Sequence, residues 1–297
     1  MSWESFFQNL SNGISLGGLY ALIAIGYSMV YGILRLINFA HGDIFMLGAY
    51  IAFYGMLIFS LPWWVSLIVS IFLTALIGVL IDKGAYKPLR NAPRISALIT
   101  AIGVSFFLEN LGLVVFGGRP KGFYRPPIFD EIITIHGVRI LSLTFYSLII
   151  TGIFLILLFY IIYKTKTGLG MRAVSTDMET ARLMGIDVDN IISITFAIGS
   201  GLAAVGGVLW AMKYPQINPL MGVFPGLKAF IAAVLGGIGS VGGALLGGFI
   251  LGIAEIMLVA FMPQLSGYRD AFAFLILILI LLVKPTGLLS VEVKEKA

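Results

Sequence analysis

The sequence contains no cysteine and little charge. None of its 297 residues is cysteine, charged residues make up 11% of the chain, and hydrophobic residues make up 59%. The lack of cysteine excludes disulfides, thiolate metal sites and thiol nucleophiles. Because a soluble domain usually carries about 25% charged residues, this composition predicts an integral membrane protein.

Histidine is scarce as well, and phosphate-binding motifs are missing. The two histidines, His41 and His136, stand far apart, and no pair has the spacing of metal ligands. No Gly-x-x-x-x-Gly-Lys-Ser/Thr motif occurs that could hold nucleotide phosphates. We therefore expect no metal site, no cofactor, no catalytic residue and no ATP hydrolysis by this chain. Its net charge of +5 is spread over loops, which favours contact with membrane lipid over nucleic acid.

Apolar runs divide the chain into segments of membrane-spanning length, roughly 20 residues each. They lie at 10–33, 41–60, 62–82, 95–117, 141–163, 190–211, 228–262 and 268–284. The seventh run is too long for one crossing, and glycines interrupt it: Gly236, Gly237, Gly239, Gly242 and Gly243. The pattern predicts an all-α polytopic bundle of eight or nine spans, with one glycine-broken segment, in a single transmembrane domain over residues 1–297.

The distribution of lysine and arginine gives the orientation, because short cytoplasmic loops are enriched in both. With the N-terminus outside, nine crossings place twelve of the 19 basic residues inside and seven, including Lys228, outside. Eight crossings place ten basic residues inside and nine outside. Nine crossings are favoured, although the segment at 228–241 is short and could be re-entrant.

A polar stretch that still favours helix lies between the fifth and sixth spans, at 164–190. Thr176 and Glu179 match the capping box of a helix N-terminus, and Gly185 can end that helix about two turns later. Ala181 falls on its apolar side. Because so short a helix is unstable alone in water, it packs either on its own bundle or lipid, or against a cytoplasmic partner.

Three blocks of sequence carry a family resemblance. "ETARLMG" at 179–185 resembles the Glu-Ala-Ala-x-x-x-Gly loop of bacterial ABC importer permeases, with Thr180 in place of an alanine. "GLYALIAIGYSMVYGILRLINFAHGDIFMLGAY" at 18–50 and "INPLMGVFPGLKAFIAAVLGGIGSVGGALLGG" at 217–248 resemble the LivH-type permeases of branched-chain amino acid importers. The resemblance implies an ABC importer permease fold in a bacterial or archaeal cytoplasmic (inner) membrane. It also implies that the ATPase-coupling residues are Thr176, Glu179, Ala181 and Gly185.

The same resemblance implies an assembly. Its other members would be a second, LivM-like permease, two cytoplasmic ATPases that bind the ATP, and an extracytoplasmic substrate-binding protein. The implied substrates are leucine, isoleucine, valine or related neutral amino acids. Two alternatives stay open: a urea or short-amide ABC importer permease, and a gradient-driven secondary transporter that uses Glu255, Asp43 or His41.

Polar residues interrupt apolar sequence in "INFAHGDIFMLGAY" at 37–50, and they are candidates for the translocation path. Asn38, His41 and Asp43 are costly next to hydrocarbon unless protein or water receives them. Either Asn38 or Asp43 caps the second helix at the cytoplasmic surface, or the break between helices lines the path. Glu255, the most deeply embedded charge, either pairs with a neighbouring helix or belongs to that path.

Overall fold

The computed structural model describes residues 2–90, 92–135 and 137–289, and helices dominate it. Within these ranges lie eleven α-helices: α1 Trp3–Leu34, α2 His41–Ile58, α3 Trp63–Ile81, α4 Arg94–Phe116, α5 Ser142–Lys164, α6 Lys166–Thr176, α7 Met178–Leu183, α8 Val188–Lys213, α9 Val223–Gly236, α10 Val241–Phe261 and α11 Arg269–Val283. Helix α3 continues through a π-helical turn at Asp82–Tyr86 and a 3-10 turn at Lys87–Leu89. Eight helical segments are long and apolar enough to cross a membrane, so the polytopic helical bundle is confirmed.

The seventh apolar run forms two helices separated at 237–240, as its glycines predict. Gly237 and Gly239 have φ values of 107° and 96°, which interrupt the helix, and Ser240 then caps α10 by accepting from the Gly243 amide at 3.1 Å. Gly236 and Gly243 hold α9 and α10 together, because a Cβ on Gly236 would lie 1.8 Å from the Gly243 carbonyl oxygen. Gly242 lies in the first turn of α10, and a Cβ there would meet nothing within 4 Å.

Helix α9 has 14 residues, about 21 Å at about 1.5 Å per residue, against a hydrocarbon core of about 30 Å. Gly222, the residue before α9, touches Gly42 at the start of α2. The turn that follows α9 reaches the inner end of α1, where the Gly239 amide donates to Ser28 Oγ at 2.8 Å. The non-helical segment 214–222 leads from the outer end of α8 down to α9. The segment 214–222 and helix α9 together cross the membrane, and with the eight longer helical segments they make nine crossings.

The C-terminal segment returns to the inner side, which also holds α6 and α7. The amides of Leu288 and Leu289 donate to the carbonyls of Leu235 and Gly236, at 3.0 and 2.8 Å, at the end of α9. An odd number of crossings therefore separates the two ends of the described chain.

Short strands on the outer side were not predicted. Strand β1 (Lys121–Gly122) pairs antiparallel with β4 (Gln216–Ile217), and β2 (Ile132–Ile135) pairs with β3 (Val138–Leu141). Arg125 crosses this layer, donating to the Met212 carbonyl at 2.6 Å and to Asp130 at 2.7 Å. Arg125, one of the basic residues on the outer side, thus holds the outer loops together.

Helices α1 and α8 form the buried centre of the bundle, and α4 and α11 lie at its edge. Small residues let α1 approach α10 closely. A Cβ on Gly252 would lie 2.2 Å from the Gly17 amide nitrogen, and one on Gly248 would lie 2.5 Å from that of Ala21. Contacts of this kind leave no room for a solute between α1 and α10.

Candidate translocation and coupling sites

Two broken helices meet inside the bundle. Helix α2 begins at His41 and runs outward, whereas α9 begins at Val223 and runs inward. Their starts touch through backbone: a Cβ on Gly222 would lie 1.9 Å from the Gly42 carbonyl oxygen, and a Cβ on Gly42 would lie 2.6 Å from the Gly222 oxygen. We call this contact the glycine crossing.

The glycine crossing lies near the middle of the membrane. The imidazole of His41 fills the space beside Gly26 of α1, and a Cβ on Gly199, halfway along α8, would lie 3.8 Å from His41 Cε1. The expectation that His41 and Asp43 lie at the cytoplasmic surface is therefore wrong, whereas Asn38 contacts Tyr86 in the inner turn after α3. Residues 35–40 fold back from the inner end of α1, so that α2 starts deep inside the bundle.

The three polar residues are buried. The residue before α2 is Ala40, which offers no side-chain cap, and Asn38 bonds elsewhere, so the capping interpretation of Asn38 is wrong. Asp43 lies in the first turn of α2, where a negative charge complements the helix dipole. Asn38 Oδ1 accepts from the Tyr86 hydroxyl at 2.8 Å, and Asp43 Oδ2 accepts from Ser105 Oγ at 2.5 Å. Asn38 Nδ2 and His41 Nε2 have no hydrogen-bond partner among the described residues. Buried polar atoms rarely lack a hydrogen-bond partner. The surroundings of the glycine crossing are therefore a candidate functional site.

Sequence reasoning missed the two crossing glycines, although a signal for them exists. The pattern Ile-Asn-x-x-x-Gly occurs at 37–42 and again at 217–222, and both copies lead into a broken helix. Further identities follow at the same spacing: Leu47, Ala49, Ile51 and Ala52 match Leu227, Ala229, Ile231 and Ala232. Because α2 and α9 run in opposite directions, the two copies form an inverted repeat of the kind that places sites at the membrane midplane.

Glu255 anchors a buried charge cluster in the outer half of the bundle. It accepts from Lys228 Nζ at 2.8 Å, from Arg269 Nη2 at 2.6 Å and from the Tyr20 hydroxyl at 2.9 Å. Lys228 also pairs with Asp270 at 2.6 Å. Lys228, expected on the outer side, belongs to α9 and is buried within the outer half of the bundle. The cluster joins α1, α9, α10 and α11.

The predicted cytoplasmic helix is present as α7, but its cap differs. Asp177 is the N-cap, and its carboxylate accepts from the Thr180 amide at 2.9 Å and from the Thr180 hydroxyl at 2.8 Å. Thr176 ends α6 instead, where its hydroxyl donates to the Arg172 carbonyl at 2.9 Å. The capping box of Thr176 and Glu179 is therefore wrong, because Asp177 has the extended backbone that a cap requires while Thr176 is helical.

The rest of the segment lies as follows. Glu179 occupies the first turn of α7, and Ala181 is 4% exposed against the bundle. Gly185 has a φ of 82° just beyond the helix, where a residue with a Cβ would be strained. Leu183 and Met184 are 83% and 79% exposed. Helix α7 thus packs on the bundle by one face and presents apolar side chains to its surroundings at its end.

The described residues give no indication of a metal centre. Among residues 2–90, 92–135 and 137–289, no group of three histidine, cysteine, aspartate or glutamate side chains could hold a metal ion. His136 lies outside the described residues.

Known proteins are similar to this chain over almost its whole length. A family model described as branched-chain amino acid transport system / permease component matches residues 9–281. The high-affinity branched-chain amino acid transport system permease protein LivH of Escherichia coli strain K12 is 41% identical, over 98% of this chain and 97% of its own length. The corresponding protein BraD of Pseudomonas aeruginosa is 42% identical over 98% of each chain. The ribose import permease protein RbsC of Haemophilus influenzae is 25% identical over 92% of this chain and 83% of its own. This multi-pass membrane protein therefore belongs to the family of permease components of branched-chain amino acid transport systems.

Proposed function

We propose that this chain is the transmembrane permease subunit of an ATP-driven importer for leucine, isoleucine and valine, located in the cytoplasmic membrane. The observation that carries the proposal is the identity of 41–42% with LivH and BraD over almost the full length of each. The ribose import permease is also similar in sequence, at 25% identity, so sequence similarity alone leaves the substrate open. A urea or short-amide substrate has no comparable support among these relatives.

The energy would come from partner subunits acting on α6 and α7. The sequence has no phosphate-binding motif of its own, so two ATPases would bind and hydrolyse the ATP. The exposed end of α7, with Leu183 and Met184, suits a hydrophobic cleft on an ATPase. Thr176, Glu179, Ala181 and Gly185 would act there as parts of the docking unit, with Ala181 fixing α7 to the bundle.

The chain would form half of the pore together with a second, LivM-like permease. Helices α4 and α11 expose most of their apolar surface at the edge of the bundle, and a second permease would cover it. An extracytoplasmic binding protein would deliver the amino acid to the outer loops. Asn38, His41 and Asp43 would line or support the path near the glycine crossing, where Asp43 bonds to Ser105 of α4.

Glu255 has a different role in this proposal. Its carboxylate already accepts hydrogen bonds from Tyr20, Lys228 and Arg269. We therefore assign Glu255 to the positioning of helices rather than to the translocation path. This assignment also disfavours a gradient-driven transporter that would use Glu255 as its ion carrier.

The test is uptake of labelled leucine into proteoliposomes that contain either this chain alone or the chain assembled with its partner permease, its ATPases and its binding protein. We expect uptake only from the full assembly, only with ATP, and with competition by isoleucine and valine. Gradient-driven uptake by the chain alone would contradict the proposal, as would competition by urea or ribose but not by isoleucine.

A further inference from the structure

A polar cleft opens on the inner side between the transmembrane bundle and the coupling segment α6–α7. Its volume is ≈ 900 Å³, at the upper end of the roughly 300–1,000 Å³ typical of sites for small molecules. The walls come from the inner end of α1, the turn after α3, the start of α4, and the junction of α6 and α7.

The cleft is lined by two arginines and by aliphatic side chains. Arg35 and Arg90 supply the charge, and no aspartate or glutamate is among the described residues that line it. The apolar lining consists of Ile33, Leu34, Leu36, Leu89, Ala92, Ala97, Val174 and Met178. Guanidinium groups bind carboxylates through paired hydrogen bonds, and the aliphatic walls suit a hydrocarbon side chain.

Among the described residues, no carboxylate lies within salt-bridge distance of Arg35, and the hydrogen bond from Arg35 to the Ser175 carbonyl is long, at 3.5 Å. The backbone of Arg35 is left-handed, with φ 55° and ψ 29°. A left-handed residue commonly ends a helix, as Arg35 ends α1. The guanidinium, which has no carboxylate partner among the described residues, therefore marks Arg35 as a candidate binding residue.

The helix ends complete the set of groups that a zwitterion needs. Arg90 pairs with Asp82 at 2.7 Å and with Asp189, and its Nε–H is buried, so Arg35 supplies the guanidinium that a ligand in the cleft can reach. The C-terminal ends of α1 and α6 also face the cleft, and their carbonyl groups accept hydrogen bonds from ammonium groups.

We propose that this cleft binds a free aliphatic amino acid from the cytosol. Arg35 holds the carboxylate, carbonyls at the ends of α1 and α6 receive the ammonium group, and the aliphatic lining receives the side chain. Because Ser175, Thr176 and Met178 line the cleft, the bound molecule ties the coupling segment to the bundle and slows import. The substrate class rests on the proposed function, whereas the carboxylate preference rests on Arg35.

The binding test uses the full chain in phosphatidylcholine nanodiscs with calorimetric titration of L-leucine. Arg35→Gly removes the guanidinium and suits the backbone, Arg35→Gln is a second variant, and Arg119→Gln, an exposed arginine of the outer side, is the matched control. We expect at least tenfold weaker binding in both Arg35 variants and no change in Arg119→Gln. Leucinamide, which lacks the carboxylate, and 4-methylpentanoate, which lacks the ammonium group, are expected to bind more weakly than leucine.

Three results overturn the proposal. They are undiminished binding in Arg35→Gly, equal binding of leucinamide and leucine, and loss of leucine binding when phosphatidylglycerol replaces part of the phosphatidylcholine. The last result would assign Arg35 to a lipid phosphate.

The functional test uses the assembled importer in proteoliposomes with ATP and the ATPases on the inside. Leucine preloaded inside is expected to slow uptake by the wild-type chain and to leave Arg35→Gly unaffected. Failure of uptake from an empty lumen would contradict the proposed function alone. Normal uptake that internal leucine never slows would contradict this inference alone.

Discussion

At the scale of single residues, the glycine crossing requires glycine at positions 42 and 222, because any side chain there would overlap the facing backbone. Gly222→Ala would place a Cβ 1.9 Å from the Gly42 carbonyl oxygen, so the starts of α2 and α9 must separate. We expect a loss of about 3 kcal/mol of stability, measured as a lower thermal unfolding midpoint in detergent. Gly152→Ala in α5 is the control, because a Cβ there meets nothing within 4 Å. Equal midpoints for the two variants would refute the close contact.

The buried charge cluster gives a second prediction at this scale. Glu255→Gln leaves Arg269 without its carboxylate and Lys228 with Asp270 alone. Breaking a buried ion pair by removing one partner costs about 3–5 kcal/mol, which we expect as a large drop in the unfolding midpoint. Asp130→Asn, which breaks the exposed pair with Arg125, is expected to cost at most about 1 kcal/mol. A Glu255→Gln chain as stable as Asp130→Asn would show that the cluster does not hold the helices.

The sequence could predict that these residues matter but not what they contact. The sequence marks Glu255 as an embedded charge and places Lys228 on the outer side, but it cannot show that the two residues pair inside the bundle. Asn38, His41 and Asp43 were identified as unusual, but their depth depends on 35–40 folding back between helices. That fold is set by tertiary packing and not by the local pattern.

At the scale of the element, the cap of α7 offers a clean comparison. Asp177→Ala removes the acceptor for the Thr180 amide, and loss of such a cap costs about 0.5–2 kcal/mol. We expect slower ATP-driven uptake with normal membrane insertion, whereas Asp177→Asn keeps an acceptor and most of the activity. Thr176→Ala leaves the Asp177 cap in place, so we expect it to slow uptake less than Asp177→Ala does. An equal or greater loss of uptake in Thr176→Ala would contradict the importance of the Asp177 cap.

Long helices were predictable, and so was the short helix α7, although its exact start was not. Seven apolar runs each match one helix, since spanning a membrane requires about 20 apolar residues, and the seventh along the chain divides at its glycines as predicted. The cap of α7 was missed by one residue. Thr176 and Asp177 both carry suitable oxygens, and the choice between them depends on where α6 ends. The strands β1 to β4 form from segments too short to show a period.

At the scale of the whole molecule, the nine crossings can be tested by labelling, because the chain contains no cysteine to remove. Single cysteines at Leu183, Tyr124 and Thr286 would report on α7, the outer loops and the C-terminal segment, and all three positions are exposed. We expect an impermeant thiol reagent to label Tyr124→Cys in intact cells, and Leu183→Cys and Thr286→Cys only in inverted vesicles. Labelling of Thr286→Cys in intact cells would instead indicate an even number of crossings.

The glycine crossing has a consequence for permeability. With two backbones in contact at the midplane, the centre of this subunit is plugged by its own peptide groups, which side-chain rotation cannot displace. A lone copy in a bilayer is therefore expected to be electrically silent. Ion leakage through a faulty assembly would then arise at the seam between neighbouring subunits rather than within one of them.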